Sequence, residues 1–171
     1  NIYLETLGCD SNTVDSEWIA GVLNRQGHSI VDRAHDADVL LVNTCGFIEA
    51  AKKESIDAIF DQIAEKRPDQ RLFITGCLAQ RYGAELAELI PEAEVILGVN
   101  DYARLPEILE SDPEEHKLFT GEHAEWTDEG RERKRLSRPH AAALKIAEGC
   151  DHACSYCAIP SIRGSYRSRP L

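Results

Sequence analysis

A chain of 171 residues, 43% apolar and 29% charged, can fold one domain of ordinary size with part of another. It contains no apolar run near the ~20 residues that span a bilayer and no charged-then-apolar leader, so a cytoplasmic protein with no membrane partner is expected. The net charge of −11 divides into −17 over residues 1–130 and +6 over 131–171; an acidic body repels phosphate backbones, so it either favours a basic protein partner over nucleic acid or is simply a soluble surface.

The opening NIYLETLGCD lacks an initiator Met and enters a strand at once, as in a trimmed chain. Ile2–Leu7 reads as that strand, ending at Gly8-Cys9. Thr13–Gln26 has helical spacing, with Val14, Trp18, Ile19, Val22 and Leu23 on one face and Gly27 as a natural stop. Ile30-Val31 is a short strand. Asp38–Val42 is an apolar run of the kind found in doubly covered parallel strands, and it ends in Asn43-Thr44-Cys45-Gly46. A helix is predicted over Ile48–Arg67, with Ile56, Ile59, Phe60 and Ile63 inward and Pro68 ending it. Arg71–Thr75 is a strand closing on Gly76-Cys77, Ala79–Ile90 a helix, Glu94–Leu97 a strand and Tyr102–Leu109 a last helix.

Strands alternating with helices through short connections predict an α/β fold, a flavodoxin-like open parallel sheet of about five strands over residues 1–110. Residues 111–139 turn from acidic to basic and lose periodicity, as a linker with room for a short strand does. Residues 140–171 begin a second unit: a strand over Ala141–Ala147 feeds a cysteine-rich loop.

Six cysteines in a cytoplasmic chain point to ligands or catalytic thiols rather than disulfides. Cys150, Cys154 and Cys157 form a CxxxCxxC run within GCDHACSYC. Three thiolates at this spacing can wrap one corner of an iron–sulfur cluster and leave one iron open to a small molecule, whereas a purely electron-transferring cluster takes four cysteines. The competing reading is a zinc knuckle completed by His152, although structural zinc wants four closed ligands.

Cys9, Cys45 and Cys77 stand 36 and 32 residues apart, yet each directly follows a predicted strand, in LETLGC, LLVNTC and LFITGC. A parallel sheet gathers all three at its carboxyl edge, where open α/β sheets bind ligands. Gly8, Gly46 and Gly76 flank them and let backbone approach a bulky inorganic group. Any one buried cysteine is usually a small hydrophobe; three in equivalent positions make a second cluster site.

With Tyr156 before its last cysteine, the CxxxCxxC run resembles the radical S-adenosylmethionine (SAM) enzymes. LGCDSNTVDSE, VNTCGFIEAAKKESID, TGCLAQRY and LKIAEGCDHACSYCAIPSIRGSYRSRP resemble one family among them, the methylthiotransferases, over nearly the whole chain. Its six ligand positions coincide with Cys9, Cys45, Cys77, Cys150, Cys154 and Cys157. NTCGFI, AKKESID and CAIPSIRGSYRSRP are most similar to the branch that modifies an aspartate of ribosomal protein uS12, rather than to the tRNA-modifying (MiaB-like) branch. The departure is Asp10-Ser11, where that branch more often carries Pro-Lys; Cys9 is intact.

The resemblance implies two 4Fe–4S clusters and SAM as cofactors, uS12 as substrate, and an electron donor such as flavodoxin or ferredoxin. The cluster on Cys150, Cys154 and Cys157 would reduce SAM, with Tyr156 beside the adenine, and the resulting radical would take hydrogen from the aspartate β-carbon. The auxiliary cluster on Cys9, Cys45 and Cys77 would carry the sulfur, so the two clusters are expected to face one cavity. A non-enzymatic iron–sulfur or zinc module is the alternative of a different class.

Catalytic residues are not assigned. Asn12, Asp15, Ser16, Glu17, Asn43 and Thr44 can bond cluster sulfurs or shape the pocket, but Asp15, Ser16 and Glu17 read first as a helix-start cap with first-turn acids. Arg163, Arg167 and Arg169 either position carboxylates or end an exposed strand. The radical-SAM barrel implied by the resemblance needs more βα units than follow Cys157. The chain is therefore expected to be inactive alone, with 140–171 disordered or abnormally packed.

Overall fold

A computed structural model describes residues 1–111, 117–122, 132–136 and 140–169. Its centre is β3 (Val39–Thr44), buried along its whole length. Successive side chains of a strand face opposite ways, so Val39 and Leu41 enter one core while Leu40 and Val42 enter another. The sheet is therefore covered on both faces, as the unbroken apolar run required. Around β3 lie β1 (Ile2–Thr6), β2 (Ile30–Val31), β4 (Arg71–Gly76), β5 (Val95–Leu97) and β6 (Lys117–Phe119), all parallel, in the order β2-β1-β3-β4-β5-β6.

This is the flavodoxin-like order with a sixth strand added, and that strand comes from the stretch read as a linker. The chain passes to opposite sides of β1 after it and after β2, so β1 and β3 flank the topological switch point. Helix α1 (Asp10–Arg25) and the short α4 (Leu105–Glu110) cover the face holding Ile19, Leu23, Phe73 and Leu105. Helices α2 (Glu49–Glu65) and α3 (Cys77–Leu89) cover the other, around Ile59, Ile74, Leu78 and Leu86.

Helix α2 differs from its predicted face. Ile59 is fully buried and Ser55 lies below it one turn back, while Ile56 and Phe60 are 37% and 51% exposed. Both are rotated about one residue, ~100°, from the stripe that meets the sheet. Ile59→Ala should cost about 2–5 kcal/mol by cavity formation. Phe60→Ala should stay within about 0.5 kcal/mol, as for a surface position; urea denaturation of the two variants checks the face.

Residues 140–169 hold only short regular elements. A small antiparallel pair, β7 (Ala147–Glu148) with β8 (Arg167–Ser168), and one short helix, α5 (Ile159–Arg163), sit against the carboxyl edge of the sheet. The strand expected over Ala141–Ala147 is reduced to β7. Ile162 joins the core beneath α1, 1% exposed, and Arg163 is buried beside it. No described helix is long and apolar enough to cross a membrane.

Candidate metal centre at the carboxyl edge of the sheet

Each of the first three cysteines begins where a strand stops. Cys9 caps the start of α1 in extended backbone and is exposed, whereas Cys45 and Cys77 are buried. All three line one cavity of about 600 Å³. Its opposite wall is built from the tail: Ala147, Glu148 and Gly149 just ahead of Cys150, and Ile162 and Arg163 of α5.

The strand ends are tied together before they reach the thiols. The Asn12 amide donates to the carbonyl of Leu7 (2.9 Å) and to that of Thr44 (3.0 Å), clamping the ends of β1 and β3. The Asn43 amide donates to the Asn12 carbonyl (3.0 Å) and to Ser16 Oγ (2.8 Å). Ser55 holds Cys45 from both sides, accepting from its N–H at 2.9 Å and donating to its carbonyl at 3.0 Å. At Gly76 (φ +99°) a Cβ would lie 2.3 Å from the Thr44 carbonyl oxygen, and at Gly8 (φ +92°) it would lie 2.9 Å from Cys45 Sγ. Only glycine lets these turns approach so closely.

Asp15, Ser16 and Glu17 are not a helix-start cap. Helix α1 begins at Asp10, so all three lie in its second turn and are buried. Asp15 accepts from Lys145 Nζ (2.5 Å) and Arg163 Nη1 (2.6 Å); Glu17 pairs with Arg133 and accepts from the N–H of Leu136 (3.1 Å). The positive charge of 131–171 is spent in part on these two acids. Their position was the available signal: carboxylates on a helical stripe between Val14 and Ile19 require buried cations.

Arg163 is thus neither an exposed strand end nor free for a substrate. Besides Asp15, it donates to Glu148 (2.6 Å), Asn12 Oδ1 (3.0 Å) and Cys77 Sγ (3.1 Å). Burial pushes the Cys77 thiol above its ordinary range, and Arg163 pulls it back only in part. Burial would also raise Glu148, but Lys145 and Arg163 outweigh it and hold that carboxyl low.

The second trio lies on a surface loop. Cys154 is exposed, Cys150 and Cys157 are half-buried, and a turn is closed by the Cys157 N–H on the Cys154 carbonyl (3.1 Å). Cys157 and Tyr156 line a separate hollow of about 350 Å³, where Tyr156 is 89% exposed. Cys157 lines only the second hollow and the first trio only the first, so the six thiols do not share one cavity. Phe47 lines both hollows, and the residues on either side of the second trio's loop, Gly149 and Ile159 among them, wall the cavity of the first.

Three thiols, glycine turns without space for a side chain, and a roomy cavity suit a bulky group held by sulfur. Among the described residues no three His, Cys, Asp or Glu side chains converge closely enough to hold a single metal ion. In a cluster each thiolate binds a different iron, which a wider spacing accommodates. His152 is exposed.

The model of a family described as uncharacterized protein family UPF0004 matches residues 1–98. Among curated relatives, the chain is 47% identical over 169 residues to the ribosomal protein uS12 methylthiotransferase RimO of Clostridium tetani, covering 97% of this chain and 38% of that protein. It is 45% identical over 175 residues to the protein of the same name from Geobacter sulfurreducens, covering 99% and 39%, and 45% over 173 residues to that from Sorangium cellulosum, covering 99% and 35%. The chain therefore spans less than two fifths of the length of these relatives. With more than half of its residues matched by the family model, it belongs to uncharacterized protein family UPF0004.

Proposed function

We propose that this chain is part of a radical-SAM methylthiotransferase that adds a methylthio group to the β-carbon of an aspartate of ribosomal protein uS12. The observation that carries the reading is the convergence of Cys9, Cys45 and Cys77 on one cavity, walled on its far side by Glu148 and Gly149 just before the Cys150–Cys157 loop and by Ile159, Ile162 and Arg163 just after it. Each trio would hold one 4Fe–4S cluster. When bound, the clusters supply one-electron reduction of SAM at one centre and a sulfur species at the other.

The chain's own residues prepare the place. Ser55 and Asn12 fix the strand ends from which the thiols project. Phe47 and Ile48, 46% and 55% exposed, make an apolar rim that can exclude water from the reacting side. Tyr156 stands open at the second hollow, available to the adenine of SAM. A flavodoxin or ferredoxin would deliver electrons, and a ribosomal substrate places the enzyme in the cytoplasm.

The names of the relatives favour uS12 over tRNA as substrate, and the acidic body suits a basic ribosomal protein. Incubating the reconstituted full-length enzyme of which this chain is part with SAM and reductant on uS12 and on tRNA tests this. The expected result is a methylthio mass increase on one aspartate of uS12 and none on tRNA; the reverse would overturn the substrate assignment.

A further inference from the structure

Arg163 touches both a cysteine of the first trio and a residue beside the second. It is 5% exposed, and all four of its terminal N–H groups are engaged. Nη1 donates to Asp15 and Glu148, Nη2 to Asn12 Oδ1 and, at 3.1 Å, to Cys77 Sγ. Glu148 lies two residues before Cys150.

Charge balance alone does not call for the sulfur contact. Lys145 already sits on both Asp15 and Glu148, at 2.5 and 3.0 Å, so either acid has a second cation. What arginine adds is a rigid fork: one arm holds the carboxylates and the other is delivered to the sulfur. A lysine is a point charge on a flexible stem and cannot span both. Hydrogen bonds to ligand sulfurs and nearby positive charge are the recognised levers on cluster potential, because both favour the more negative, reduced form.

Resting on the reading that Cys77 is a cluster ligand, we propose that Arg163 is a positioning residue that raises the reduction potential of the cluster held by Cys9, Cys45 and Cys77. It acts through the Cys77 sulfur and is locked by Asp15 of α1 and Glu148 of the tail. Docking of the tail and the electronics of the first centre then depend on the same guanidinium.

The test uses the reconstituted protein carrying Cys150→Ala, Cys154→Ala and Cys157→Ala, so that only the strand-end trio can hold iron. Iron content and the midpoint of an EPR-monitored redox titration are compared for Arg163, Arg163→Lys, and Arg163→Gln combined with Asp15→Asn. The combined variant leaves no uncompensated buried charge. The expected result is about four irons in all three, with the combined variant lowering the midpoint by about 59 mV or more, a tenfold change in a one-electron equilibrium, and Arg163→Lys falling between. Iron retained with an unchanged midpoint overturns the role of Arg163 alone. No iron in the Arg163 protein overturns the cluster reading, and this inference with it. Should the combined variant fail to fold, Arg163→Lys decides: a midpoint equal to that of the Arg163 protein overturns the proposal.

Discussion

Asp15→Asn is expected to destabilise the protein by about 3 kcal/mol and to make residues 140–169 protease-sensitive. Asp15, Arg163, Lys145 and Glu148 form a connected group with side chains only 7%, 6%, 10% and 13% exposed, and Arg167, 20% exposed, adds a third cation 3.6 Å from Glu148. Breaking a buried pair by removing one partner typically costs about 3–5 kcal/mol, since the remaining charge is stranded. The lower end applies because Glu148 still neutralises one cation. The comparison is Arg33→Ala, which removes an ion pair to Asp36 whose side chains are 78% and 40% exposed; exposed pairs contribute about 0–1 kcal/mol. Urea denaturation and limited proteolysis read both effects. Equal costs for Asp15→Asn and Arg33→Ala would mean that the tail is not anchored by this group.

Gly76→Ala is expected to cost about 3 kcal/mol or more and to displace Cys77. The φ of +99° with ψ of −161° belongs to a region almost exclusive to glycine, where another residue carries about 1–3 kcal/mol of strain. The new Cβ would also meet Thr44 O at 2.3 Å, Asn43 Oδ1 at 2.4 Å and Thr44 N at 2.7 Å. Two of those atoms are backbone of the buried central strand β3, which has nowhere to move, and overpacking adds a further ~1–3 kcal/mol. Gly27→Ala separates the two causes: φ is +87° there, but nothing lies within 4 Å of the added carbon. That variant should show the strain alone, about 1–2 kcal/mol. Thermal or urea unfolding measures both; comparable losses would remove the steric part of the explanation.

How much of this was legible in the sequence differs by feature. The apolar run before Cys45 announces a doubly covered strand because six consecutive buried residues leave no solvent face to encode. The strand-end position of three cysteines announces a shared edge because parallel strands all point one way. Helix α2 is misread at Ile56 and Phe60, since apolar spacing marks a broad stripe while the sheet contacts only part of it. Strand β6 lies in a segment without periodicity; three residues paired to β5 are too few to show one.

The largest gap concerns Asp15 and Glu17, whose cationic partners Lys145, Arg163 and Arg133 lie more than a hundred residues away. Charge pairing at that separation leaves no local pattern. It shows only as carboxylates on a core-facing stripe and a cationic excess near the end of the chain.

Iron and acid-labile sulfide content after anaerobic reconstitution tests the central claim most directly, comparing the protein with its Cys9→Ala/Cys45→Ala/Cys77→Ala variant. The expected result is about eight irons per chain falling to about four, as two independent 4Fe–4S clusters require. An iron content that the triple substitution leaves unchanged would contradict a cluster on the strand-end cysteines, and zinc without sulfide would contradict both clusters.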